Sequence, residues 1–139
     1  MKMAPRIGIT LRFDRIDNFW FTLMHELVHV QRHLTKQGQA FVDAIDGENV
    51  LAEDALETEA DLAAAEAFIP RAIWRSSDAY RLKRADAVEQ LAAELVIHPA
   101  IIAGRIRRES GNYRVLKDMV GQGTIRGLFP DIAWIKEGK

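Results

Sequence analysis

His25-Glu26-Leu27-Val28-His29 is the stretch of the chain whose residue types and spacing specify a chemistry. On a helix, residues four apart project from one face, one turn apart, so two imidazoles reach a single ion at about 2.0–2.1 Å. Glu26 sits beside them, near enough to contact a water on that ion without binding the ion itself. Zinc lowers the pKa of such a water to about 7, and the neighbouring carboxylate can take its proton and pass it to a leaving amine. The chain holds four histidines. By composition alone such a pattern turns up about once in a hundred chains of this make-up. The plainer reading is a pair of exposed helix histidines.

A catalytic zinc takes three protein ligands and keeps one open position. The chain has no cysteine, so the third ligand must be His, Asp or Glu. Glu57-Thr58-Glu59-Ala60-Asp61 offers three carboxylates on a second helix. With Glu57 at zero, Asp61 falls at about 40°, beside a small stripe of Leu56, Ala60, Ala63, Ala64 and Ala67. Glu59 falls at about 200°, near Glu66. On this wheel only one of Glu57 and Glu59 can meet the HExxH helix, and Glu57 borders the stripe that packs inward. Glu57 is therefore the expected ligand. Asp61, one turn on, is placed to accept a hydrogen bond from the free nitrogen of a bound histidine and so fix its tautomer. Two histidines and a carboxylate also suit iron or manganese; the HExxH helix favours zinc.

These side chains need two helices to hold them. Residues 18–34 read as one, with Phe19, Trp20, Leu23, Leu27, Val30 and Leu34 between about 120° and 220° from His25 as a core stripe. His25, Glu26, His29 and His33 form a separate polar face. Residues 53–69, rich in Ala and Glu, read as the second helix, stopped by Pro70. Residues 6–13 alternate apolar and polar and read as a strand, with 39–45 as its expected partner. Residues 71–84 suit either a loop or a short helix. Residues 86–96 and 100–109 read as helices broken at His98-Pro99, and Gly111-Asn112 ends the second. The glycines of the tail imply loops and one short helix. The expected fold is mostly α with a small β-sheet (α+β), a single domain over 1–139. Its core lies at about 6–85, a helical extension at about 86–110 and a loop-rich tail at 111–139.

Composition narrows the function classes. The 139 residues are 48% hydrophobic and 28% charged, as in an ordinary globular domain. There is no apolar run of about 18 residues and no signal-peptide core, which, with the missing cysteines, suggests a cytoplasmic protein. Net charge is −1, unevenly spread. Residues 41–70 carry nine acids and no Lys or Arg; residues 98–126 carry six bases against Glu109 and Asp118. Such asymmetry fits a cation site in one half and an anionic partner for the other, or simply two solvated faces.

HELVH at 25–29 followed by ETEAD at 57–61 and AAEAFIP resembles the IrrE/ImmA family of bacterial zinc metallopeptidases. The stretch 11–30 looks most like a branch related to antitoxin-type regulators of the HigA kind. The resemblance covers roughly residues 6–110. It implies a compact zincin-like fold with ligands at His25, His29 and Glu57 and a general base at Glu26. It also implies a regulatory, site-specific endopeptidase that cuts a helix-turn-helix repressor, within toxin–antitoxin or transcription regulation. Only 24 residues precede His25, with no DNA-binding domain among them. That fits either a short stand-alone member or a piece of a longer protein.

In zincins a strand near the active-site helix pairs with the substrate backbone. Ile7, Ile9 and Leu11 are the expected substrate-binding strand here. Residues 86–109 read as helix-turn-helix with a basic end, but the apolar run of the second helix favours packing over DNA contact. His33 is expected to be exposed and His98 to cap a helix. Tyr80, Tyr113 and several arginines are equal candidates for stabilising an oxyanion. Trp20, Trp74 and Trp134 suit core or interface positions. The alternative to a peptidase is a non-catalytic regulatory module with a structural or vestigial zinc site, acting by binding a protein partner or DNA.

Overall fold

The computed structural model describes residues 6–34 and 50–132, and these are helical, with no strand among them. Two compact units divide the chain: Met1–Ile9 with Phe21–Arg75, and Thr10–Trp20 with Ser76–Lys139.

The first unit holds the motif residues. Helix α1 spans Ile16–Val28 and counts with this unit from Phe21 onward. It passes directly into a π-helical turn, His29–Leu34. Helix α2 spans Val50–Phe68 and α3 spans Arg71–Ser76. The composition of α2 explains its length: Ala, Leu and Glu lose little side-chain freedom in a helix. Pro70, lacking an N–H, follows its end, and Glu66 accepts a hydrogen bond from the Arg71 N–H at 3.0 Å as the chain turns into α3. Ala60 and Ala64 are fully buried, and α2 packs against the π turn. Small residues there let the backbones come close, which brings the flanking carboxylates within reach of the histidines.

The second unit is built on α4 (Asp78–Leu82), α5 (Ala85–Leu95) and α6 (Pro99–Ser110). Helix α5 packs against both α4 and α6. Val88, Leu91, Ile102, Ile106, Val120 and Ile125 are buried in this unit. Each such side chain contributes about 1.5–3 kcal/mol when fully withdrawn from water. His98 caps α6 as its place before Pro99 implies: its Nδ1 accepts the Ala100 N–H at 3.0 Å. Gly111, at φ +66°, ends the helix in the left-handed region that glycine adopts without penalty. Short 3-10 turns follow at Lys117–Met119 and Arg126–Leu128.

Two expectations fail. The expected strand at 6–13 is coil ending in a turn, and the expected small β-sheet is absent from the described residues; its proposed partner, 39–45, lies outside them. Ile7, Ile9 and Leu11, the expected substrate-binding strand, lie in this coil and in no strand. The reason is visible in the carbonyls. The Leu11 carbonyl accepts from the Asp14 N–H at 3.0 Å and from Arg126 Nε at 2.9 Å. The Arg12 carbonyl accepts from Arg126 Nη2 at 2.7 Å, and that of Phe13 from Gln122 Nε2 at 2.9 Å. Side chains from the tail hold the groups a ladder needs. Asp14 secures the same junction: one carboxylate oxygen accepts the N–H groups of Ile125 and Arg126 at 2.8 and 2.7 Å.

The second failure concerns α1. Its expected core stripe is only partly covered: Trp20 is 40% and Leu27 43% exposed, and Phe19, Leu23 and Val30 are half-buried. The covered side is the histidine face, where His29 is 8% and His33 3% exposed. An amphipathic wheel assigns the apolar stripe to the core by default. Here the neighbouring helix carries matched carboxylates and packs on the polar face instead.

Candidate metal centre

Helix α1 and the π turn present three histidines in one row. An α-helix carries residue i+4 about 40° past residue i. A π turn closes i→i+5, so it carries residue i+4 short of a full turn. The step from His25 to His29 and the step from His29 to His33 thus rotate in opposite senses, and the row stays straight. The rings follow one another at centroid distances of 4.7 and 4.9 Å.

Helix α2 meets this row with carboxylates. Glu57 straddles the first two histidines: Oε2 lies 2.8 Å from His25 Nε2, and Oε1 lies 3.0 Å from His29 Nε2. The two Nε2 atoms are 3.1 Å apart. Asp61, one turn along α2, holds the other nitrogen of His25, with Nδ1 to Oδ1 at 2.7 Å. The four-residue spacing of Glu57 and Asp61 therefore clamps His25 at both ring nitrogens. Glu57 and Asp61 are half-exposed at their side chains while His25 is mostly covered.

His25, His29 and Glu57 form a group able to hold a metal ion. Bonds of about 2.0–2.1 Å in a tetrahedral centre place neighbouring ligand atoms about 3.3 Å apart. The observed separations of 2.8–3.1 Å bring the three ligands to that spacing with only a small opening of the site. The donor chemistry agrees. If His25 Nδ1 donates to Asp61, its Nε2 carries a lone pair that confronts a carboxylate oxygen and a second imidazole nitrogen. A shared cation satisfies all three acceptors together.

A second arm continues beyond His29. His29 Nδ1 lies 2.8 Å from His33 Nδ1, and His33 Nε2 lies 3.3 Å from Glu59 Oε2. The other Glu59 oxygen is 3.2 Å from Arg32 Nη1. Glu59 titrates below its ordinary value, chiefly because of the hydrogen bond from His33 and then that from Arg32. Both His33 and Glu59 correct the sequence reading. His33 is buried, not exposed, and Glu59 meets the histidine row although Glu57 does so too. The wheel treated each side chain as a radial pointer. On a ridge of alanines the helices lie so close that a glutamate on either flank can reach across. The missed signal was the run of four-residue spacings, His25, His29, His33, opposite the odd-numbered run Glu57, Glu59, Asp61.

Glu26 is half-buried on α1 and joins neither arm of this network. Of the oxyanion candidates, Tyr80 and Tyr113 both belong to the second unit. There the Tyr113 carbonyl accepts from Arg107 Nη2 at 2.6 Å. Trp74 is buried in the first unit, and Trp134 lies outside the described residues. In α6 the residues Ala100, Ile102, Ala103, Gly104, Ile106 and Arg107 are buried. No helix of the described residues is long and apolar enough to cross a membrane.

Compared with protein-family models, curated proteins and solved structures, the chain matches none.

Proposed function

We propose that this protein is a zinc-dependent endopeptidase that cuts a regulatory protein, a helix-turn-helix repressor being the substrate class its motifs suggest. The observation that carries the reading is the convergence of His25 Nε2, His29 Nε2 and the Glu57 carboxylate within one ion's reach, on a helix that also bears Glu26. Two neutral imidazoles and one carboxylate leave a fourth position open, as catalytic zinc requires. Zinc bound there supplies Lewis acidity, polarising a carbonyl and bringing the pKa of a coordinated water to about 7.

The chain's own residues supply the rest. Asp61 accepts the Nδ1 proton of His25 and so keeps the lone pair on Nε2. Glu57 offers charge as well as a ligand atom, reducing the net charge of the centre. Glu26 takes a proton from the attacking water and delivers it to the departing amide nitrogen, so that the amine leaves neutral. The acid-rich α2 places further negative charge around a cation site.

The test begins with metal. After dialysis, elemental analysis should find close to one zinc per chain, with most of it lost in Glu57→Ala. Wild type and Glu26→Gln are then incubated with a mixed peptide library and the products read by mass spectrometry. Zinc-dependent cuts by wild type alone support the peptidase. Zinc in both proteins and cuts by neither favour the non-catalytic module.

A further inference from the structure

We propose that His33 and Glu59 are positioning residues for the metal centre: a two-step relay that fixes the tautomer and ring orientation of His29. The inference rests on the metal-site reading above and adds a second outer arm to the one formed by Asp61.

Along His29, His33 and Glu59, each contact has a donor and an acceptor in only one arrangement of neutral rings. For His29 to present a lone pair at Nε2, its proton must sit on Nδ1. That Nδ1–H then donates to His33 Nδ1, 2.8 Å away, which must be unprotonated. The His33 proton is consequently on Nε2, where it meets Glu59 Oε2 at 3.3 Å. Glu59 is an acceptor as its ionised carboxylate, and Arg32 Nη1 at 3.2 Å steadies its second oxygen. Reversing either ring leaves two protons or two lone pairs face to face inside a buried pair. His33 is 3% exposed, so water cannot readily replace the missing partner.

The two arms are matched in form and differ in length. Asp61 reaches His25 directly at 2.7 Å. Glu59 is carried on the same helix but reaches its histidine through an intervening imidazole. The backbone supports that route, because the π turn from His29 to Leu34 is what sets His33 against His29. Outer-shell partners of this kind change metal affinity by about 10- to 100-fold when removed.

The experiment uses Co2+ as a spectroscopic substitute for zinc. It compares wild type with His33→Ala, His33→Asn, Glu59→Ala and Glu59→Gln. We expect His33→Ala to weaken Co2+ binding about 10- to 100-fold and to change the d–d absorption bands. His33→Asn should restore much of the affinity, because its amide oxygen can accept from His29 Nδ1–H. Glu59→Ala should cost less than His33→Ala, and Glu59→Gln less again. Circular dichroism of each variant identifies any that fails to fold, and the tautomer measurement needs no variant. In wild type loaded with zinc, two-bond proton–nitrogen correlation should show His33 protonated at Nε2 and His29 at Nδ1. A His33 protonated at Nδ1, or wild-type affinity and spectrum in folded His33→Ala, overturns the relay and leaves the metal site standing. Wild type that binds neither Co2+ nor zinc overturns the metal-site reading and the relay with it.

Discussion

The Nδ1 atoms of His29 and His33 face each other at 2.8 Å, and between two neutral rings only one of them can carry the proton. A histidine pair in this relation transmits a choice of tautomer from one ring to the next. At one end of the row the choice is anchored by Asp61 on His25 and at the other by Glu59 on His33. The nitrogens left over, Nε2 of His25 and Nε2 of His29, are the two that converge with Glu57.

The first prediction separates a ligand from its support. Glu57→Ala should abolish stoichiometric zinc after dialysis. Asp61→Ala should retain the site and loosen it by about 10- to 100-fold. Competition against a chromophoric chelator measures both. Equal losses in the two variants would overturn this division between ligand and support.

The second concerns Glu26. Glu26→Gln keeps the size of the side chain and removes its basicity. Zinc content should stay at the wild-type value while peptide cleavage falls by about 100- to 10,000-fold. Cleavage at the wild-type rate in this variant would falsify the role given to Glu26.

Thermal unfolding offers a third check. An ion held by His25 and His29 on one side and Glu57 on the other binds only the folded arrangement. Free zinc at about 100 times its dissociation constant should then add about 2.7 kcal/mol of stability. Differential scanning calorimetry with zinc, and again with excess chelator, reads the shift in Tm. An unchanged Tm at saturating zinc contradicts a site shared between α1, the π turn and α2.

A fourth prediction lies in the second unit. A Cβ built on Gly104 would stand 2.5 Å from Asp17 Cβ and 2.6 Å from its carboxylate. Neither helix can yield there without backbone movement, since Cβ is the stiffest part of the Asp17 side chain. Gly104→Ala should destabilise the protein by about 1–3 kcal/mol through overpacking. A denaturant titration with unchanged slope and a lowered midpoint is the expected result.

The parts of the fold that were legible in the sequence have local causes. Pro70 ended α2, His98-Pro99 opened α6, and Gly111 closed it. The alignment of His25 and His29 was legible for a similar reason: four-residue spacing on a helix is a short-range fact. That Glu57 and Asp61 meet these histidines follows from the alanine stripe acting as the packing ridge. What failed depended on partners distant in sequence. The alternation at 6–13 reads as strand, yet Arg126 and Gln122 hold its carbonyls from more than a hundred residues away. The apolar stripe of α1 gave no hint that acidic α2 covers the opposite face. His33 lies on the same polar face as His25 and His29 on either kind of helix, and the sequence does not reveal that this face is covered, nor that the chain widens into a π turn there. No periodicity in six residues marks that change.

That wide turn has a consequence for how the motif tolerates changes in length. A tighter α-helical turn would bring a third histidine to nearly the same side of the helix with three-residue spacing. The chain uses four, so the segment His29–Leu34 carries one residue of slack. Removing Gln31 should therefore let the segment rewind as α-helix with the histidine row almost undisturbed. An insertion between His25 and His29, where the helix is already tight, has no such slack and would scatter the row.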